Sequence, residues 1–184
     1  MSLRRYRIAA LSGLIGLMAS TTALAQSPEQ PYIYATARAL PKHLTNQGSG
    51  YFSIIEGKNG KLYIGTAKYG ENAYLVEYDP ATQQMRVVVD CMQAIGSTAK
   101  GFAAQAKIHT RNNLGASGKI YFGTKQGYPD PKLGEKFTDY PGGYPLVFDP
   151  TTGETKVYPI TVPHHGIISV TPDESRGVAY ISTC

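Results

Sequence analysis

The chain has 184 residues and carries 18 Lys and Arg against 13 Asp and Glu, a formal net charge of +5. Arg4, Arg5 and Arg7 fall in the first 25 residues with no acidic residue beside them, so residues 26–184 hold 15 basic against 13 acidic side chains. That near-balance, with no run of Lys or Arg, excludes a nucleic-acid binder driven by phosphate attraction.

Residues 1–25 read as a Sec-type signal peptide. Three arginines precede an apolar run from Ile8 to Met18, and Ala23-Leu24-Ala25 supplies a small-x-small cleavage pattern before Gln26. The expectation is a periplasmic or secreted protein with no stable membrane insertion after cleavage. An uncleaved anchor is the alternative, but Ser12, Gly13 and Gly16 interrupt a run already short for a bilayer span. No cysteine follows the apolar run, which speaks against a lipoprotein. Residues 26–50 form an N-terminal segment in which "YIYATARAL", Tyr32–Leu40, is read as the outer strand of a closing blade. Cys91 and Cys184 are the only cysteines; their spacing fits neither a disulfide framework nor a metal site, and the expectation is that they do not pair with each other.

From residue 51 onward the chain repeats itself. "GKLYIGT" at Gly60–Thr66 returns as "GKIYFGT" at Gly118–Thr124 and as "GVAYIST" at Gly177–Thr183, with steps of 58 and 59 residues. "YLVEYDPATQQMRVV" matches "YPLVFDPTTGETKVY" at a step of 70, so the second copy holds 12 extra residues between its halves. A fixed period of this size marks a repeat architecture.

Each unit parses as four short strands in chain order. The first strands are "FSII", "AKIHT" and "GIISV", and the heptapeptide is the second. "YLVEYD" and "PLVFD" are the third, and "MRVVV" and "TKVYPI" the fourth. Turns rich in Gly, Pro, Asn and Asp separate runs of Tyr, Val, Ile, Phe and Thr, the composition of strands. Helical periodicity appears only weakly, around Asp90–Gly101. In the heptapeptide, Ile120 and Phe122 point to one face and Tyr121 to the other, so both faces are apolar, as in a sheet packed on both sides. Gly65, Gly123 and Ser182 mark positions where little side-chain volume fits.

The expected fold class is all-β: a partial β-propeller of about two and a half four-stranded antiparallel blades, with bounds 51–90, 105–162 and an incomplete 165–184. The rest of a ring of roughly six to eight blades is expected to lie outside this chain. A β-sandwich is the structural rival, and it would not require the repeat.

The stretch "LVFDPTTGETKVYPITVPHHGIISVTPDESRGVAYIST" resembles the blades of secreted propellers related to streptogramin B lyase, gluconolactonase and the YVTN or quinoprotein-like repeats. The shared elements are the Asp-Pro-Thr-Thr-Gly turn, a short strand ending in Pro, and the Pro-Asp turn before "YIST". The resemblance covers Tyr51 to Cys184 and implies a propeller fold. Those families differ in chemistry, so it assigns no catalytic residue to this chain.

In a propeller the first strand of each blade lines the central channel, and the second-to-third and fourth-to-first connections open on one face. His164 and His165 stand in such a connection, and Gln105, Lys107 and His109 stand on the first strand of unit two. Imidazoles at a channel mouth suit acid–base work near neutral pH or a divalent metal. His165 and His109 are therefore the candidate catalytic residues, and a divalent metal the candidate cofactor. Gln105 and His164 are candidate ligand contacts. Lys107 is expected to extend its ammonium to solvent. The 12-residue insertion falls in "KQGYPDPKLGEKFTDYPGGYP", Lys125–Pro145, whose Tyr128, Tyr140 and Tyr144, with Phe137, are further ligand contacts suited to stacking on sugar rings. Asp130 and Asp139 are possible acceptors beside them. The readings that follow are a binder of a small molecule or carbohydrate at the loop face, a lyase- or lactonase-type enzyme using the histidines, and a protein-interaction scaffold.

Overall fold

The computed structural model describes residues 34–46 and 53–184. The chain divides into two units, Met1–Ala37 and Arg38–Cys184. The signal peptide expected in residues 1–25 lies outside the described residues. Residues 34–40, the described part of the expected closing strand, carry no strand and no ladder. Further on, within the second unit, the Thr45 hydroxyl donates to the Ala67 carbonyl at 2.9 Å, and Leu44 is buried.

The second unit is built from antiparallel β-structure. β1 (Ile54–Glu56), β2 (Leu62–Gly65), β3 (Tyr74–Asp79) and β4 (Gln84–Asp90) form a four-stranded meander in chain order. After a single helical turn, α1 (Cys91–Ile95), the pattern repeats. β5 (Lys107–Ile108) and β6 (Asn113–Leu114) both pair with β7 (Ile120–Lys125), which pairs with β8 (Pro145–Phe148) and through it β9 (Thr155–Val157). β10 (Ile167–Asp173) and β11 (Val178–Thr183) form a hairpin. The expected "AKIHT" strand is broken. Ile108 faces Thr124 and Asn113 faces Tyr121, so five steps on one strand oppose three on the other. The two surplus residues bulge out around 109–112, and the Thr110 hydroxyl accepts the Gly123 amide at 3.2 Å in place of a ladder bond. Bulges re-aim side chains, and this one governs where His109 points.

The turns repeat as faithfully as the strands. The Asp79 carboxylate accepts the Ala81 amide at 2.9 Å, and the Asp149 carboxylate accepts the Thr151 amide at 2.9 Å. Both turns close through a left-handed residue, Gly153 at φ 76° in one and Gln83 at φ 59° in the other. Only glycine takes that conformation without cost, so the first copy is strained where the second is relaxed.

Successive sheets pack through the heptapeptide glycines. A Cβ at Gly65 would lie 2.7 Å from the Cβ of Ile108, the next unit's first strand. A Cβ at Gly123 would lie 2.6 Å from the Cβ of Ile167, again on the following unit's first strand. The same glycine-on-isoleucine contact therefore recurs one period on. Around the first of these contacts sits the core: Tyr63, Leu75 and Val89 from the first sheet meet Ile108, Ile120, Phe122, Leu146 and Phe148 from the second. Tyr63 and Phe148 rings stand 5.9 Å apart. On the outermost hairpin Val178 and Tyr180 are exposed.

One charge is buried in the first sheet. Glu77 on β3 lies directly between Tyr63 on β2 and Arg86 on β4. Its carboxylate, 3% exposed, accepts from Arg86 Nε at 2.7 Å, Lys61 Nζ at 3.0 Å and the Tyr63 hydroxyl at 3.0 Å. The Arg86 guanidinium above all holds this carboxyl down to about 2. Burial pushes the Tyr63 hydroxyl up to about 12. Among the described residues no helix is long and apolar enough to cross a membrane.

Candidate functional site

The insertion after β7 is folded, and one carboxylate does much of the folding. Glu135 accepts the Asp130 amide at 2.7 Å and the Phe102 amide at 2.9 Å, pinning the loop to the 3-10 turn Gly101–Ala103. Asp130 caps its own short turn by accepting the Lys132 amide at 2.9 Å, and Asp139 accepts the Lys136 amide at 2.8 Å. Both expected ligand acceptors thus serve the loop's backbone. Phe137 meets Phe102 edge-on at 5.6 Å, closing the loop over the fold.

Gln105 and Tyr140 stabilise this arrangement from inside. The Gln105 amide oxygen accepts the Tyr140 hydroxyl and the Thr124 hydroxyl, each at 2.7 Å, while its nitrogen donates to the Gly142 carbonyl at 2.9 Å. Both side chains are buried, so they cannot reach a ligand and act instead as a satisfied polar joint beneath the loop. Tyr144 is half-buried and packs against the core. These three expected contacts do not line the cavity described next.

The other expected residues converge. A cavity of about 530 Å³ is lined by His109 from the bulge, His164 and His165 from the β9–β10 connection, and Tyr128 from the insertion. Tyr69, Lys107, Lys125, Gln126, Phe137 and Cys184 also line it, the Lys125 ammonium donating to the Cys184 thiol. Its size suits a small organic ligand. Tyr128 and Phe137 remain 74% and 67% exposed at the rim, and Tyr128 stands edge-on to Tyr69 at 5.7 Å.

The histidines differ in how they are held. His164 has φ 65°, a left-handed conformation rare for a side-chain-bearing residue. Its Nδ1 lies 2.7 Å from the Tyr140 carbonyl oxygen. A carbonyl only accepts, so Nδ1 carries a proton, and in the neutral ring the lone pair is on Nε2. His165 Nδ1 is 3.4 Å from the Thr183 hydroxyl. His109 is held below the usual imidazole range, by burial first and then by the charges of Lys107 and Lys125. Among the described residues, no group of three His, Cys, Asp or Glu side chains is arranged to hold a metal ion.

Lys107 departs from its expected solvent-facing pose. It is 4% exposed, its ammonium donating to the Tyr69 hydroxyl at 3.0 Å and lying 5.0 Å and 5.2 Å from the Tyr69 and Tyr128 ring centres. Burial lowers its affinity for a proton, and the neighbouring Lys125 lowers it further. Phe137, an expected stacking residue, does line the cavity, whereas Tyr69 and Gln126 are lining residues that sequence reasoning passed over. Tyr69 follows the first heptapeptide and reaches across into the second unit's cavity, a contact visible only once the sheets are stacked.

Cys91 is buried and Cys184 exposed, and both are free thiols. Compared with family models, curated proteins and solved structures, the chain matches none.

Proposed function

We propose that this chain is part of an exported β-propeller that binds a small molecule or carbohydrate in the cavity bounded by His109, His164, His165 and Tyr128. The observation that carries the reading is the convergence of the bulged first strand, the insertion and the β9–β10 connection on one concave space of about 530 Å³. Support for the propeller is the recurrence of the glycine–isoleucine contact between consecutive sheets, Gly65 on Ile108 and Gly123 on Ile167. A unit that meets the next in the same way each time generates a regular stack, of which a ring is the closed form. Export rests on the N-terminal sequence.

A ligand screen by thermal shift tests the binding reading. A panel of neutral and acidic monosaccharides contains a compound that raises the melting temperature of the protein. Tyr128→Ala and His164→Ala are expected to abolish that rise while leaving the unliganded melting temperature within about 2 °C, since neither side chain is buried. A panel without any saturable shift counts against the reading.

One observation favours an enzyme as the second reading. The His164 ring presents Nε2 as a hydrogen-bond acceptor, its tautomer fixed by the Tyr140 carbonyl, which is how a general base is held. A lyase or lactonase activity lost on His164→Ala, with ligand binding retained, would select it over a binding protein.

A further inference from the structure

Lys107 on β5 and Lys125 on β7 are direct cross-strand partners, so their side chains leave the sheet on the same face. Like charges in that position repel and destabilise the pair. Elsewhere in the fold lysines find carboxylates: Lys61 reaches Glu77 and Lys68 reaches Glu71. Neither Lys107 nor Lys125 has an acidic partner among the described residues, and the cavity lining contains no Asp or Glu. Lys107 is moreover buried, and a buried cation is normally paired. The sheet therefore brings two ammonium groups to one wall of a concave site with only neutral partners, the Tyr69 hydroxyl for Lys107 and the Cys184 thiol for Lys125, and no carboxylate to balance their charge.

The rest of the lining describes the remainder of such a ligand. Tyr69, Tyr128 and Phe137 offer apolar faces on the side of the insertion. Gln126, 8% exposed, has an amide oxygen with no hydrogen-bond partner among the described residues, and that oxygen accepts from a hydroxyl. His164 Nε2 is a second acceptor. Two cations, two acceptors and aromatic walls match a polyhydroxylated molecule carrying one oxyanion.

We propose that the cavity takes an acidic sugar-sized ligand whose carboxylate or phosphate is held between Lys107 and Lys125. The oxyanion supplies the missing countercharge, and the hydroxyls donate to Gln126 and His164. This inference rests on the reading of the cavity as a small-molecule site.

The test uses three probes of one skeleton: glucose, glucuronate and glucose 6-phosphate, each titrated at constant ionic strength and followed by calorimetry and melting temperature. The acid that fits binds at least about tenfold more tightly than glucose, and raising the salt concentration weakens it. Whether glucuronate or the phosphate wins identifies the oxyanion. Lys107→Met and Lys125→Gln each reduce that affinity by about ten- to a hundredfold, the range of a charge-assisted hydrogen bond. Lys156→Gln, outside the lining, leaves it unchanged. Relief of the repulsion raises the unliganded melting temperature of Lys125→Gln by about 1–4 °C. That readout keeps the proposal testable should Lys107→Met fold poorly. Glucose binding as tightly as both acids, or acid binding that survives both lysine variants, overturns the inference and leaves the small-molecule reading intact. Absence of binding by all three overturns both.

Discussion

Adding one methyl group at Gly123 tests the packing on which the repeated architecture depends. The new Cβ would stand 2.5 Å from Ile167 Cγ2 and 2.6 Å from its Cβ. Carbon atoms in contact sit about 3.5–4.0 Å apart, so β7 and β10 must separate by roughly 1 Å. Ile167 cannot swing aside easily, because its branch point is the atom that collides and β-branched side chains in strands are stiff. Overpacking of this kind costs about 1–3 kcal/mol. Gly123 has an ordinary backbone conformation, so alanine also restricts the unfolded chain and returns about 0.4–1 kcal/mol. Taken at mid-range, the net expectation for Gly123→Ala is a loss of about 1.3 kcal/mol, or about 3–5 °C in melting temperature for a unit of this size. Urea denaturation followed by circular dichroism measures it. In an Ile167→Ala background, where the Cγ2 contact is gone and only the Cβ contact remains, the same methyl must cost less. Gly65→Ala, facing Ile108 in the preceding interface, should lose a similar amount. A Gly123→Ala protein within about 0.5 kcal/mol of wild type would refute the reasoning. So would a cost indifferent to residue 167.

Three further outcomes follow from other parts of the fold. Glu77 titrates near 2 when folded against an ordinary 4.5, so its contribution is fully present above about pH 4.5 and lost as pH falls towards 2. The shift corresponds to at most about 3 kcal/mol at pH 7, less for screening by water around the exposed Arg86; the melting-temperature gap between wild type and Glu77→Gln should narrow steadily from pH 5 to pH 2.5, and a pH-independent gap would count against it. Gln83→Gly should stabilise the protein by about 1 kcal/mol in urea titration, because it gives the first turn the residue the second already has at φ 76°; a destabilised variant would contradict the turn equivalence. Cys91 is buried and its thiol is pushed well up by burial, whereas Cys184 is exposed; a thiol reagent such as DTNB should therefore titrate one group in the folded protein and two in denaturant, and two fast thiols in the folded state would be the contrary result.

The strands of both complete units were legible because period-2 patterning and turn chemistry are local. "YLVEYD" is β3 residue for residue, and the heptapeptides contain β2, β11 and all of β7 except Lys125. The glycine in each heptapeptide was legible as a place of small volume, but its cause was not, since Ile108 and Ile167 lie more than 40 residues further along the chain. The broken first strand of unit two escaped for a related reason. "AKIHT" has strand composition throughout, and only pairing with β7 reveals two residues too many. At the site, the convergence of His109, His164, His165 and Tyr128 followed from where the repeat puts its loops. Gln105 and Tyr140 did not follow, because a polar residue near a channel reads the same whether it meets a ligand or a buried neighbour. Opposition of Lys107 to Lys125 is a matter of register, and register is fixed only when the strands pair.

Histidine resonances offer the most direct check on the cavity. The chain has four histidines; His109, His164 and His165 line the cavity and His43 does not. Titrating the protein with the neutral and acidic sugars while following the imidazole carbon–proton signals reads all four at once. The account predicts that at least one sugar shifts the three lining histidines together and saturably, with His43 unmoved. Saturable binding that leaves those three signals in place, or that moves His43 as much as them, would contradict it.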